Sequence, residues 1–382
     1  MEQTKELLVN MGPQHPSTHG VLRLMVKLDG ETVTWCQPDV GYLHRCFEKL
    51  CESKTYPQVI PFTDRTDYAG PILHEMCFVE AAEKLFGEAI TVPERAQYIR
   101  VLLAELQRIG SHLLAVGSMA MDIGAVTPFL YSWRDREKTY SLLERITGTR
   151  MLYNYFRIGG LRNDLPEGII GSPNDGEDKS DQTFWGFVNY FDNYVMPQWD
   201  ALVTGNRIFQ WRTMGVGCLK SEDAIAYGAS GPVLRGSGVK WDLRKNLPNS
   251  IYNRFEFDIP VGKENGDCFD RWLVRMEEMR QSSRIIKQCL QWLAENPGEV
   301  MGKVPRILKP PKGEVYHRVE AARGEVGCYL VSDGSPNPYK VKWRSPCFTH
   351  LQLMPKLCPG FKIADVVAIL GSIDIVLGEV DR

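Results

Sequence analysis

Two imidazoles four residues apart, His15 and His19, stand in the segment Gly12-Pro13-Gln14-His15-Pro16-Ser17-Thr18-His19-Gly20. Pro13 and Pro16 fix φ and remove backbone donors, which disfavours a helix or a central strand. The segment reads as a stiffened loop that presents side chains. Histidine changes charge near neutral pH more readily than any other side chain, so three chemistries are open. Metal binding would need a third ligand from elsewhere, and no His-Glu-x-x-His pattern supplies one. A structural role would have the imidazoles satisfy loop backbone groups. Proton donation into a ligand pocket would need a second proton carrier and an acid to hold the imidazole.

Two companions are available. In Phe62-Thr63-Asp64-Arg65-Thr66-Asp67-Tyr68, Asp64 or Thr66 is a candidate N-cap, which puts Tyr68 in the first turn of a helix. Asp122, between Met121 and Ile123, is a candidate for a partly buried carboxylate that needs a proton or a cationic partner. The plainer readings are a core tyrosine and a helix cap. Spacing alone does not bring these residues together.

The elements that must position them are of two kinds. Val21–Leu28 and Glu31–Trp35 flank Asp29-Gly30, a strong hairpin signal, so the histidine loop leads into the first hairpin strand. Residues 41–300 are mainly helical. From Pro93 to about Gly117, Ile99, Leu102, Leu103, Leu106, Ile109 and Leu113 recur at helical spacing, with Pro93 suited to the first turn and Gly117 to the exit. Asp67–Leu85, Thr127–Ile146 and Trp272–Leu293 repeat the pattern, and the apolar stripes read as bundle core. Residues 165–180 are a polar, Gly/Pro-rich loop, and residues 302–313 are a linker with three prolines. Beyond it the period falls to two at 314–316, 325–331 and 339–343, with a short helix at Ala364–Leu370. The expectation is an α+β fold: an N-terminal β-hairpin region with the histidine loop (1–40), a central helical bundle (41–300) and a C-terminal region of short strands and helix (301–382), integrated as one domain.

Composition excludes several classes. The chain has 382 residues and a formal net charge of −2, which gives no support for binding nucleic acid by bulk electrostatics. No apolar run approaches the roughly 18 residues of a membrane-spanning helix. Residues 1–10 carry Glu2, Lys5 and Glu6 and no apolar signal core. The ten cysteines form no Cys-x-x-Cys pair, so they are expected to be buried, metal-free thiols of a soluble protein in a reducing compartment.

Six motifs carry a resemblance. Residues 11–23 (Met-Gly-Pro-Gln-His-Pro-Ser-Thr-His-Gly-Val-Leu-Arg), 41–45 (Gly-Tyr-Leu-His-Arg), 64–68 (Asp-Arg-Thr-Asp-Tyr), 154–160 (Asn-Tyr-Phe-Arg-Ile-Gly-Gly), 311–316 (Pro-Lys-Gly-Glu-Val-Tyr) and 378–382 (Gly-Glu-Val-Asp-Arg) resemble the 49-kDa, or D-type, subunit of respiratory complex I. The likeness covers essentially the whole chain. It implies a fold like that of the nickel–iron hydrogenase large subunit and a quinone-reducing site in the peripheral arm of a proton-pumping oxidoreductase. The hydrogenases hold metal with two Cys-x-x-Cys pairs. The counterparts here are residues 43–48, with Cys46 alone, and residues 372–377, with no cysteine, so the alternative of a hydrogenase-type subunit lacks its soft-metal ligands.

The resemblance also implies roles. His19 and Tyr68 match the residues that hydrogen-bond and protonate the quinone headgroup, Asp122 matches the acid paired with that histidine, and His15 is expected to support the loop. Arg45 and Arg65 match arginines beside a 4Fe-4S cluster held by the B-type partner subunit. The other implied partners are the C-type subunit, the ferredoxin-like I-type subunit and the H-type membrane subunit. The acceptor would be menaquinone, plastoquinone or ubiquinone, with no metal in this chain. The implied place is the cytoplasmic face of a cell membrane or the stromal face of a thylakoid. Two departures stand out. Leu152 occupies a position where many ubiquinone-using relatives carry a histidine that couples cluster reduction to protonation, which implies a lower, nearly pH-independent cluster potential. The linker around 296–312 is shorter than in many relatives.

Overall fold

Leu24, Val26 and Leu28 alternate with Arg23, Met25 and Lys27, and that alternation buries one face of a strand. The computed structural model describes residues 6–382 apart from residue 264. Of the N-terminal charges noted above, Glu2 and Lys5 lie outside the described residues. Strand β2 (Arg23–Asp29) turns at Gly30, whose φ is +62°, into β3 (Thr32–Asp39), as the Asp-Gly signal predicts. A further edge strand, β1 (Leu7–Met11), pairs antiparallel with β2 from Leu7↔Leu28 to Met11↔Leu24. Its exposed Leu7 and Leu8 carry no alternation, which is why the sequence pattern passes over it. The histidine loop is thus pinned at both ends, between β1 and β2. Gly12 stands where a Cβ would lie 2.0 Å from the Leu22 carbonyl oxygen, so only glycine lets the loop close on itself.

The central helix, Glu94–Asp122, spans 29 residues and runs through the bundle. The predicted exit at Gly117 is a correction. A Cβ there would lie 2.0 Å from Ser132 Oγ, so Gly117 lets the Val126–Thr147 helix approach closely, and the helix continues one turn further, to Asp122. The predicted helix start at Asp67 is also corrected. Asp67 Oδ1 accepts from the Ala69 and Gly70 amides at 3.0 and 3.2 Å, and this turn delays the helix to Pro71–Phe86. Neither Asp64 nor Thr66 caps it. Asp64 ends the preceding Tyr56–Thr63 helix, and Tyr68 lies in the connection rather than in a first turn. The Cys268–Glu295 helix packs along the central helix. A short hairpin, β4 (Phe156–Arg157) with β5 (Gly160–Leu161), interrupts the helical region.

Residues 302–312 form no regular element, and β6 (Gly313–Ala321), β7 (Gly324–Ser332) and β8 (Lys340–Arg344) follow as an antiparallel meander against the Pro71–Phe86 helix. Helices Ile363–Ile373 and Leu377–Asp381 complete the chain's α+β architecture, 51% helical and 14% strand. Eight of the ten cysteines are buried. Cys46 and Cys218 are exposed, against the expectation that all are buried. Among the described residues no helix is long and apolar enough to cross a membrane.

Apolar burial is not the only cement. Glu105, on the central helix, meets Arg108 at 3.2 Å, Arg244 at 3.1 Å, Tyr252 Oη at 2.7 Å and Ser282 Oγ at 2.6 Å, all in the interior. Glu278 binds His112 at 2.9 Å and Arg235 at 2.6 Å, and Arg235 reaches Glu320 on β6 at 2.8 Å. Removing one partner of a buried pair strands the other's charge, at a cost of about 3–5 kcal/mol. Glu105→Gln is expected to destabilise the protein by that amount in chemical denaturation. Arg254→Gln, which breaks the half-exposed pair with Glu94, should stay within about 1 kcal/mol.

Candidate functional site

The last turn of the central helix, gained beyond Gly117, carries Asp122 to the histidine loop. There Asp122 Oδ2 lies 2.5 Å from His19 Nε2, in a pair with side-chain exposures of 4% and 13%. His19 sits in the left-handed region at φ 54°. The loop holds it there: Thr18 is fully buried and its hydroxyl donates to the carbonyls of His15 and Gly20 at 2.8 and 3.0 Å. His15 is exposed and does not line the cavity described next, its Nδ1 accepting from the Ser17 amide at 3.1 Å.

The pair borders a cavity of about 220 Å³. Leu114, Met121, Ile375 and Val376 make its apolar walls, and His19, Tyr68, Asp122, Arg323 and Asp374 its polar part. Pockets that engulf a whole drug-sized ligand run to roughly 300–1,000 Å³, so this one suits the polar head of a longer molecule. Tyr68 Oη has no hydrogen-bond partner among the described residues and is free to serve a ligand. Burial, together with the neighbouring Asp67 carboxylate, pushes the Tyr68 phenol up, so it keeps its proton at neutral pH. The cavity presents a phenol and an acid-backed imidazole to one guest, which suits a ligand with oxygen acceptors that takes up protons.

Arg323 and Asp374 were not found from the sequence. Arg323 stands in the two-residue turn between β6 and β7, donating to Asp67 Oδ2 at 2.8 Å, Ser111 Oγ at 3.1 Å and the Asp374 carbonyl at 3.0 Å. Asp374 ends the Ile363–Ile373 helix at φ 52°. An Ala-Arg-Gly turn and a helix end carry no spacing signal. The one hint was that residues 372–377 stand where the hydrogenases have ligands.

Arg45 and Arg65 lie outside the cavity on an adjoining exposed face. Arg45 Nη2 donates to the Arg65 carbonyl at 2.8 Å, and neither guanidinium has a carboxylate partner among the described residues. The Leu377–Asp381 helix clamps this face, with Asp381 accepting from the Gly41 and Leu43 amides at 2.8 and 2.7 Å. Behind it, Asp64 Oδ2 accepts from the Asn154 amide at 2.9 Å, and Glu75 Oε2 from those of Tyr155 and Phe156 at 2.9 and 2.8 Å. Leu152, at φ 59°, belongs to the loop so anchored. Three potential metal ligands, Asp67, His74 and Glu379, are gathered within 4.8 Å in the interior. Neither His15 nor His19 belongs to the group.

The geometry defines a class, an α+β chain with a cavity at the meeting point of its N-terminal loop, central helix and C-terminal segment. The family model for the 49-kDa subunit of respiratory-chain NADH dehydrogenase matches residues 122–310 and 302–382. The chain is 79% identical, over the full length of both, to a protein of Symbiobacterium thermophilum named as a second D-type subunit of NADH-quinone oxidoreductase. It is 52% identical to the D-type counterpart in Dehalococcoides mccartyi, covering 100% of this chain and 99% of that one, and 51% identical to that of Geobacillus kaustophilus over the whole of both. The chain belongs to the family of 49-kDa, or D-type, subunits of respiratory-chain NADH dehydrogenase, a family with the hydrogenase large-subunit type of fold.

Asp64 and Glu75 generate a prediction. Burial and mutual repulsion push the Asp64 carboxyl well up, and Asp64 Oδ1 and Glu75 Oε1 have no other partners among the described residues, the condition under which two acids share a proton. A folded-state pKa above the unfolded value means stability that is present at low pH and lost as pH rises through the folded value. Asp64→Asn replaces the shared proton with a permanent N–H. It is expected to flatten the fall in melting temperature as pH rises above the usual carboxylate range, and an unchanged slope would refute the shared proton.

Proposed function

We propose that this chain, as a subunit of a complex I-type NADH-quinone oxidoreductase, binds and protonates the quinone headgroup in the cavity between His19 and Tyr68. The observation that carries the reading is the His19–Asp122 pair bordering the same cavity as a partner-free, protonated Tyr68. Reduction of a quinone to a quinol takes two electrons and two protons. Tyr68 Oη and His19 N–H are suitable donors, and donors aimed at oxygen where charge develops are usually a large part of catalysis. When His19 gives up its proton, Asp122 is left as a buried charge without its cation, a state that costs about 3–5 kcal/mol where a pair is broken. That penalty is the proposed impulse for rearrangement toward proton-pumping subunits.

The electrons arrive from a 4Fe-4S cluster of the B-type partner subunit, which supplies single electrons at short range. The face with Arg45 and Arg65 is the proposed seat of that partner. Two guanidinium groups without carboxylate partners among the described residues favour the reduced, more negative state of a nearby centre. C-type, I-type and H-type subunits are the further proposed neighbours. The subunit sits peripherally at a membrane. The bacterial relatives favour the cytoplasmic face of the cell membrane over a thylakoid. The hydrogenase alternative gains nothing from the geometry: Cys46 is exposed, and its sulfur's neighbour is His44 Nε2 at 3.7 Å.

In the intact complex, His19→Ala and Tyr68→Phe are each expected to lower quinone reduction by about 10²–10⁴-fold, while NADH oxidation by a soluble artificial acceptor is unchanged. Wild-type quinone reduction in both variants would sink the assignment. Leu152 cannot titrate, which leads to a second test. The potential of the partner's cluster should vary little with pH, and Leu152→His should introduce a slope approaching about 59 mV per pH unit, the value for one proton per electron.

A further inference from the structure

His74 is 1% exposed, and neither of its ring nitrogens has a hydrogen-bond partner among the described residues. Buried polar groups are nearly always satisfied, and each exception needs a reason. Its surroundings supply one. His74 Nδ1 is 4.0 Å from Asp67 Oδ2, and one nitrogen of the ring lies within 4.8 Å of both Asp67 and Glu379 carboxylate oxygens. The three residues come from three elements: the Tyr68 connection, the Pro71–Phe86 helix and the Leu377–Asp381 helix. All three are buried.

We propose that Asp67, His74 and Glu379 form a buried proton store that serves the cavity, an assignment that rests on the quinone reading above. Asp67 links store and cavity in two ways. It is the chain neighbour of Tyr68, and its Oδ2 accepts from Arg323, whose side chain lines the cavity floor. The charged and titratable groups around the store are Arg323 and Asp374 on the cavity side, Cys347 against Glu379 Oε2 at 3.3 Å, and Tyr68 and Arg45 on the outside. Burial pushes the Glu379 carboxyl up and Asp67 adds to this against the opposite pull of His74, so Glu379 is the member able to carry the proton. In each turnover quinone gains two electrons from the partner subunit and two protons, one from Tyr68 and one from His19, and leaves as quinol. One proton then passes from the store to the Tyr68 phenolate. The store and His19 are each refilled from water, and the charge around the cavity returns to its starting value.

The same three residues invite a metal reading, and the geometry argues against it. A first-row ion bound at about 2.0–2.1 Å to each ligand would draw tetrahedral ligand atoms to about 3.3 Å apart, closer than the 4.0 Å between His74 and Asp67. The Asp67 oxygen concerned already carries the Arg323 guanidinium at 2.8 Å, and a dication beside it would meet a fixed positive charge.

The test uses the intact complex, with the amount of assembled enzyme set by NADH oxidation through a soluble artificial acceptor. His74→Gln and Glu379→Gln are each expected to lower kcat for a short-chain quinone about tenfold, a change of 1.4 kcal/mol in barrier. KM should be unchanged, and the alkaline fall in activity should begin at lower pH. Glu379→Asp, which keeps a titratable group, should restore much of the wild-type pH profile. Wild-type kcat and pH profile in both Gln variants overturn the store. So does a rise in KM without a change in the profile, which would make these residues part of the binding wall. Stoichiometric zinc that is lost in His74→Gln would make the cluster a metal site instead. If His74→Gln fails to assemble, the near-isosteric Glu379→Gln decides alone. If Tyr68→Phe and His19→Ala retain full quinone reduction, the quinone reading itself fails, whatever the Gln variants do.

Discussion

Glu105 has no access to water, and the bundle is arranged around keeping it charged. Burial opposes ionisation, but Arg108 and Arg244 outweigh it and hold the carboxyl down at about 2. The groups that do this come from the central helix itself, from Arg244 in the short Leu243–Asn246 helix and Tyr252 in the Tyr252–Arg254 helical turn, and from Ser282 on the Cys268–Glu295 helix. A hydrophobic stripe lets two helices slide or rotate at modest cost. A desolvated carboxylate with four directional partners does not, and breaking it strands charge. The Arg235 bridge from Glu278 to Glu320 extends the same constraint to the C-terminal sheet.

That rigidity matters because the cavity is built from the ends of elements. Asp122 is the last helical residue, His19 and Asp374 are non-glycine residues in the left-handed region, Tyr68 is in a connection and Arg323 in a hairpin turn. Ends fray unless the bodies they project from are fixed. The Gly117–Ser132 contact sets the approach of two helices, and the β1–β2 pairing sets the mouth of the histidine loop. Between them they fix the meeting of His19 with Asp122, residues 103 apart in the chain.

Much of the frame was legible in the sequence because periodic burial leaves a periodic pattern. Ile99, Leu102, Leu103, Leu106, Ile109 and Leu113 are all fully buried, and the Asp29-Gly30 turn and the C-terminal strands lie where alternation puts them. The misreadings have local causes. Gly117 looked like a helix stop because a glycine that serves interhelical contact is indistinguishable, in one sequence, from one that ends a helix. Asp67 looked helical because its own side chain, by bonding Ala69 and Gly70, withholds the turn that the pattern would continue. Strand β1 is made by pairing, with little apolar burial to announce it. The site was less legible still. The residue types of His19, Tyr68 and Asp122 suggested proton chemistry, but their grouping came from motif resemblance, and Arg323, Asp374 and His74 sit where no local rule points.

The Asp381 contact with the Gly41 and Leu43 amides makes the guanidinium-bearing face a property of the whole fold. These partners are separated by 340 and 338 positions. The stretch leading to Arg45 is held in shape by a segment from the far side of the sequence. A peptide of residues 41–65 alone would carry the same side chains without the backbone contacts that fix them.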